Sequence, residues 1–157
     1  MIKPLEQRLL EHQPAAIIAI RRGGVDVGKY LQAKLIARNI PMEPEVGELN
    51  ISFYRDDFSR LGLHPQVGPS HVPFNVEDKH ILLVDDVLGT GRTVRAAMNE
   101  IFDFGRPSRI TLAVLVQRSG HELPVSADVV GATLDVQQNE YVDLDPGTFQ
   151  VHVGEKQ

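Results

Sequence analysis

Cysteine is absent from all 157 residues, which excludes disulfides, thiolate nucleophiles and cysteine-held zinc together and permits a reducing compartment. No apolar run approaches the ~18 residues of a membrane span, and the start, "MIKPLEQRLLEHQP", has acids and no long apolar core. No membrane association is expected, and a cytoplasmic setting is. Positive charge is also short: 16 Lys and Arg stand against 21 Asp and Glu, a formal net charge of -5. That balance argues against broad nucleic-acid binding, which is built from clustered cations. The six histidines show no paired spacing of the HExxH kind, so a zinc site built by the protein alone is not expected. There is no internal repeat and no low-complexity segment. What remains is an ordinary globular composition, 42% hydrophobic and 24% charged, at a length that suits a single domain over residues 1–157.

Apolar spacing sets out the elements. Ile2, Leu5, Leu9 and Leu10 predict a helix over residues 2–12, closed by Pro14. "AAIIAI" (15–20) is a short, wholly apolar run, the pattern of a strand buried on both faces. "RRGG" reads as a turn, after which Val27, Tyr30, Leu31, Leu35 and Ile36 form a helical stripe that stops at Asn39 and Pro41. Leu49, Ile51 and Phe53 alternate with Glu48, Asn50 and Ser52, which predicts a strand with one solvated or second-layer face. From Arg55 to Pro73 periodicity fails over a stretch with three prolines and two glycines, and so long a loop in a compact domain is usually functional or mobile.

"ILLV" (81–84) and "RITLAVLV" (109–116) are two more buried strands. Between them Val94, Ala97, Met98, Ile101 and Phe104 predict a helix ending at Gly105, with Thr93 as its cap. Shorter strand candidates follow near 128–134, 140–144 and 149–153. Buried strands joined by helices imply an α/β fold, a parallel doubly wound sheet with helices on both faces.

The stretch "VDDVLGTGRT" (84–93) carries the chemistry. In open α/β sheets ligands gather at the carboxyl ends of strands, where Asp85, Asp86 and the loop 87–93 would lie. Backbone amides at a helix start, with Gly89 and Gly91 allowing close approach and Thr90 and Thr93 donating hydroxyls, suit a phosphate dianion. The carboxylate pair suits vicinal sugar hydroxyls and the water shell of a Mg²⁺ ion carried by a polyphosphate. Ribose 5-phosphate meets both conditions. A solvated strand-helix connection is the plain alternative for such a stretch. A P-loop is excluded because the GxxxxGK[ST] spacing is missing, and no GxGxxG follows a strand.

"ILLVDDVLGTGRT" resembles the phosphoribosyl pyrophosphate signature of type I phosphoribosyltransferases. "ELNISFYRDD", "LLVDDVLGTGRTVRAAMNEIFDFGRPSRITLAVLV" and "ELPVSADVVG" extend the likeness, over about residues 15–135, to the pyrimidine operon attenuator and uracil phosphoribosyltransferase family. The resemblance implies a mobile loop or hairpin over the site and a parallel-sheet fold beneath it. It assigns Asp85 and Asp86 to the ribose hydroxyls, and Val87, Leu88, Gly89, Thr90, Gly91, Arg92 and Thr93 to the 5-phosphate. Arg21, Arg22, Gly23 and Gly24 match the pyrophosphate loop, although relatives place Thr-Arg-Gly or Thr-Gly-Gly where this chain has Arg22-Gly23-Gly24. Arg55, with Asp85 and Asp86, falls in the catalytic group, at the root of the family's mobile loop. Gln117, Arg118 and Ser119 stand where the family reads its base, and there Gln117 and Ser119 replace an aspartate and a glycine. Gly89 replaces a larger residue, commonly tyrosine.

The implied reaction is transfer of ribose 5-phosphate from phosphoribosyl pyrophosphate to uracil, giving UMP, with Mg²⁺ held mainly by the substrate near Asp85 and Asp86. The resemblance also implies a homodimer or larger homo-oligomer. An alternative from another class is a nucleotide-sensing regulator that binds messenger RNA. Against it, His121 and Ser126 stand where attenuating relatives carry arginines. A third reading is a catalytically idle nucleotide-binding subunit.

Overall fold

A computed structural model describes residues 2–51, 69–145 and 147–156. Five strands form a parallel sheet in the order β2-β1-β3-β4-β5. They are β1 (Ala16–Ile20), β2 (Gly47–Leu49), β3 (His80–Leu88), β4 (Arg109–Arg118) and β5 (Val129–Leu134). A separate antiparallel hairpin follows, β6 (Glu140–Leu144) and β7 (Val151–Glu155). Three helices accompany them among the described residues: α1 (Ile2–Leu9), α2 (Gly23–Ala37) and α3 (Arg92–Phe104). No helix there is long and apolar enough to cross a membrane.

The expectation of helices on both faces of a parallel sheet is met, and the pleat shows how. Alternate residues of the central strands point to opposite faces. On one face Ile17, Ala19, Leu82, Val84, Ala113 and Leu115 pack with Leu5 and Leu9 of α1 and with Val27, Leu31 and Leu35 of α2. On the other, Ile18, Ile20, Ile81, Leu83, Leu112 and Val114 pack with Val94, Ala97 and Ile101 of α3. Every residue of β1 is buried, as a wholly apolar run requires. Burying each of these aliphatic side chains contributes about 1.5–3 kcal/mol against the entropy of ordering the chain.

Several expectations need correction. α1 ends at Leu9, not at residue 12, because the chain turns back through Gln13, whose φ is 40°, to enter β1. The turn read at "RRGG" is confined to Arg21 and Arg22: Gly23 and Gly24 are already the first residues of α2, pressed against the end of β3. Gly91, with φ 95°, takes the N-cap position of α3, so Thr93 lies inside the helix and is not its cap. Ile36 and Phe104, placed on apolar stripes, are 46% and 44% exposed, since each stands at the last turn of its helix where the sheet no longer covers it. The predicted stop at Asn39 holds. Its φ of 61°, with Asn39 N–H donating to Ile36 and Ile40 N–H to Leu35, forms a left-handed helix terminus.

Leu49 and Ile51 are buried, while Phe53 and Arg55 lie outside the described residues, as does the loop from 55 through 68. The chain on either side of that gap is joined at the sheet edge. Glu48 and His71 exchange backbone hydrogen bonds at 2.7 Å, and Asn50 N–H donates to Ser70 Oγ at 2.8 Å.

Candidate active site at the carboxyl edge of β1 and β3

The chain leaves β1 toward β2 on one side, while β3 lies on the other, so the crevice between the ends of β1 and β3 is where strand order reverses. Such switch points are where α/β sheets bind ligands. Arg21 to Gly24 follow β1 there, and Asp85 to Gly91 end β3.

β3 runs further than its apolar core suggests. Asp85, Asp86, Val87 and Leu88 all belong to the strand, with Val87 and Leu88 paired to Val116 and Gln117 of β4. The expected loop 87–93 therefore contracts to Gly89, Thr90 and Gly91, and Arg92 and Thr93 open α3. The side chains of Val87 and Leu88 serve the two cores. Both residues still line a cavity of about 170 Å³ together with Asp85, Gly89, Thr90 and Thr93. Amides at the start of α3 give that cavity a positive end.

Asp85 is only 3% exposed and its Oδ1 accepts from Asp86 N–H at 2.8 Å. Asp86 Oδ1 in turn accepts from Val87 N–H at 2.8 Å. These two bonds fix the carboxylates, and the second carboxylate is held against Gly23 at the start of α2. Gly24 is as closely placed, since a Cβ on it would stand 2.7 Å from the Val84 carbonyl oxygen. The Arg21–Arg22 peptide bond is cis. Arg21 Nε donates to Glu48 Oε1 at 3.1 Å, so its guanidinium is tied to β2, while Arg22 is exposed.

Beyond the 170 Å³ cavity lies a larger cleft of about 590 Å³, bounded by Gly89 and Thr90, by Arg118 and Ser119 at the end of β4, and by Lys156 after β7. Ser119 does not aim its hydroxyl into the cleft. Its Oγ donates to the Val136 carbonyl at 3.0 Å and accepts from Val136 N–H at 2.9 Å, which joins the loop after β4 to that after β5. Gln117 Oε1 accepts from Ala127 N–H at 3.4 Å. The stem of Arg118 lies over Gly89, and its guanidinium donates to the Ser119 and Glu140 carbonyls. Among the described residues no three His, Asp or Glu side chains gather as a metal site. Two adjacent carboxylates fit a Mg²⁺ ion whose remaining oxygens come from water and a substrate.

A family model for the phosphoribosyl transferase domain matches residues 2–146. The chain belongs to the phosphoribosyl transferase domain family. The type I phosphoribosyltransferase likeness read from "ILLVDDVLGTGRT" is thereby borne out, and so is the expectation of an enzyme of that class. A "Bifunctional protein PyrR" of Nitrosococcus oceani is 55% identical over 152 residues, covering 94% of this chain and 84% of the relative. One from Pseudomonas entomophila is 53% identical over 127 residues, covering 81% and 71%. In fold the chain is similar to the hypoxanthine phosphoribosyltransferase of Trypanosoma cruzi, with a TM-score of 0.70 at 20% identity over 99% of this chain and 90% of that one. A purine phosphoribosyltransferase from Pyrococcus horikoshii gives 0.63 at 23% identity, covering 86% and 82%.

In this phosphoribosyltransferase, residues 120–127, which the sequence offered only as family likeness and as the place where His121 and Ser126 stand for arginines, fold over the loop 89–91. The Thr90 carbonyl accepts from Glu122 N–H at 3.1 Å and Leu123 N–H at 3.0 Å. Glu122 Oε1 takes Arg92 Nη2 at 2.9 Å and Nε at 3.2 Å. The Arg92 side chain thus points along α3 to this strap and away from the small cavity. The only hint in the sequence was Gly91 itself, whose lack of a side chain leaves room for Leu123 and Val125, 3.4 and 3.3 Å from where a Cβ would stand.

Proposed function

We infer that this chain transfers ribose 5-phosphate from phosphoribosyl pyrophosphate to uracil, giving UMP and pyrophosphate, and that residues 1–157 act as one domain. The observation that carries this is the carboxylate pair of Asp85 and Asp86 set between a helix-start loop with its own cavity and the glycine start of α2. In this reading the Gly89 to Thr93 backbone and the hydroxyls of Thr90 and Thr93 bind the 5-phosphate. Asp85 and Asp86 accept from the ribose hydroxyls and favour positive charge growing on the sugar. The amides at Gly23 and Gly24 receive the pyrophosphate at a helix N-terminus. Nitrogen attacks the sugar carbon as pyrophosphate departs, through a state of oxocarbenium character. Catalysis then comes from alignment and from charge stabilisation set up in advance. A bound Mg²⁺ would neutralise charge on the pyrophosphate, with Asp85 and Asp86 as the residues near it. Arg55, assigned to the leaving group from sequence, would act from the segment outside the described residues.

Uracil is favoured by the family likeness read from "ELNISFYRDD" and "ELPVSADVVG", with which the similarity to bifunctional proteins PyrR agrees. That these relatives are called bifunctional supports a second role, here nucleotide-sensing regulation of pyrimidine genes through messenger RNA. The net charge of -5 and the engagement of Arg92 by Glu122 weigh against direct RNA attachment. Pyrophosphate release with phosphoribosyl pyrophosphate, Mg²⁺ and each of uracil, orotate, hypoxanthine, guanine and adenine tests the first role. Release with uracil alone is expected, and release with none would remove it. Nucleotide-dependent, salt-sensitive binding of the chain to its own operon leader RNA would establish the second.

A further inference from the structure

The 590 Å³ cleft is unequal in charge. Arg118 faces it from β4, His121 and Glu122 from the segment after β4, and Lys156 from the chain after β7. Glu122 is the one acid in this set, and its carboxylate is ion-paired with Arg92 at 2.9 Å. Arg118 makes its hydrogen bonds to the neutral carbonyls of Ser119 and Glu140, which hold the guanidinium in place without cancelling its charge. Lys156 has no ion pair among the described residues. Among the described residues, two cations without an ion pair therefore border a cleft whose other wall is the loop at Gly89 and Thr90.

We propose that this cleft takes its heterocyclic base as the anion, with Arg118 and Lys156 favouring loss of the ring N–H proton. The inference rests on the uracil reading above and supplies what it lacks, because neutral uracil is a poor nucleophile. Among the described residues lining the cleft, only His121 and Glu122 have side chains suited to general base work, and Glu122 is paired with Arg92. A nearby positive charge stabilises the anion of an acidic N–H in the same way that it lowers the pKa of a carboxyl group. The steps balance as follows. The ring N–H bond breaks as the base binds, and its proton passes to solvent. The electron pair left on nitrogen forms the bond to the sugar carbon. The bond from that carbon to pyrophosphate breaks, and pyrophosphate leaves with both electrons. Arg118 is a positioning residue as well, since its stem packs over Gly89, with Cδ 3.5 Å from where a Cβ there would lie.

The test uses Lys156→Met and Lys156→Arg, exposed positions outside both cores. The pH profile of kcat reports ionisations in the enzyme-substrate complex. Its acid limb with uracil is expected to move up by about one unit in Lys156→Met, from the loss of one cation at the cleft, and to return in Lys156→Arg. 5-Fluorouracil, nearly the same shape and more acidic, should lose less rate than uracil in the Met variant. Independently of turnover, difference absorption of 5-fluorouracil bound to the wild-type protein with phosphoribosyl pyrophosphate and Ca²⁺ should show the spectrum of the anion at neutral pH. An unmoved acid limb, or a neutral-form spectrum for the bound base, overturns the proposal. Absence of uracil turnover in the wild type would instead overturn the uracil reading, and the spectrum would still decide the charge state.

Discussion

The carboxylate of Asp86 fills the space that a side chain on residue 23 would need: an ideal Cβ on Gly23 would stand 1.9 Å from Asp86 Oδ2. Two segments separated by the whole α2-β2 crossover thus meet atom against atom. The absence of a side chain at Gly23 is what lets the start of α2 share a site with the end of β3. In Gly23→Ala the carboxylate must swing away. kcat/KM for phosphoribosyl pyrophosphate is expected to fall at least about tenfold, a loss of ~1.4 kcal/mol in transition-state stabilisation, with the melting temperature little changed. Gly24→Ala meets the Val84 backbone instead, which cannot yield so easily, and should cost about 1–3 kcal/mol of stability, read by denaturant unfolding.

The two glycines of the phosphate loop separate cleanly. Gly91 has φ 95° and close neighbours in Leu123 and Val125, so Gly91→Ala should destabilise by about 1–2 kcal/mol and weaken phosphoribosyl pyrophosphate binding. Gly89 meets only the flexible stem of Arg118, at ordinary contact distance. Gly89→Ala is expected to stay within about 0.5 kcal/mol of wild type. Equal losses in both variants would contradict this account of the loop.

The strap over the loop is held by an ion pair half exposed at both ends, 51% for Arg92 and 54% for Glu122. Such a pair contributes no more than about 1 kcal/mol to stability. Glu122→Gln should therefore leave the unfolding midpoint nearly unchanged while raising KM for phosphoribosyl pyrophosphate severalfold, because loss of the pair with Arg92 loosens the strap whose N–H groups at Glu122 and Leu123 hold the Thr90 carbonyl. A lowered midpoint with unchanged KM would mean that the strap serves the fold alone.

His80 opens β3 with its Nε2 2.7 Å from the buried Thr111 hydroxyl. Burial, then the charges of Arg109 and His12, lower its pKa below the ordinary 6.5. The unfolded chain consequently binds this proton more readily than the folded one. The stability that His80 contributes is present above about pH 6.5 and is lost as pH falls below 6.5 toward the lowered folded value. Urea midpoints should drop across that window in the wild type, and His80→Gln should flatten the decline.

Ser119 carries a hydroxyl that bonds both ways to Val136. Removing it in Ser119→Ala frees two backbone groups at the cleft rim, at a cost of about 1–2 kcal/mol. KM for the base should rise more than KM for phosphoribosyl pyrophosphate, measured with each substrate varied at saturation of the other.

By itself the sequence determined what is local. The continuous apolar runs of β1, β3 and β4 could only be strands covered on both faces, because a half-exposed strand would alternate. The acid pair and the glycine-spaced hydroxyls fell at a strand end for the same local reason, and the family likeness followed from them. Spacing was a poor guide where a contact from elsewhere set the backbone. Gly23 and Gly24 looked like a turn because glycine usually marks one, but they are helical and small for the sake of Asp86 and Val84. Thr93 looked like a cap because hydroxyls favour that position, but the close approach of Leu123 and Val125 leaves Gly91 there. Only the tertiary structure decided that β1 lies beside β3, that residues 120–127 cover the loop 89–91, and that Lys156 borders the 590 Å³ cleft. These pairings join residues far apart in the chain, and periodicity, which reports only which face of its own element a residue occupies, carries no record of them.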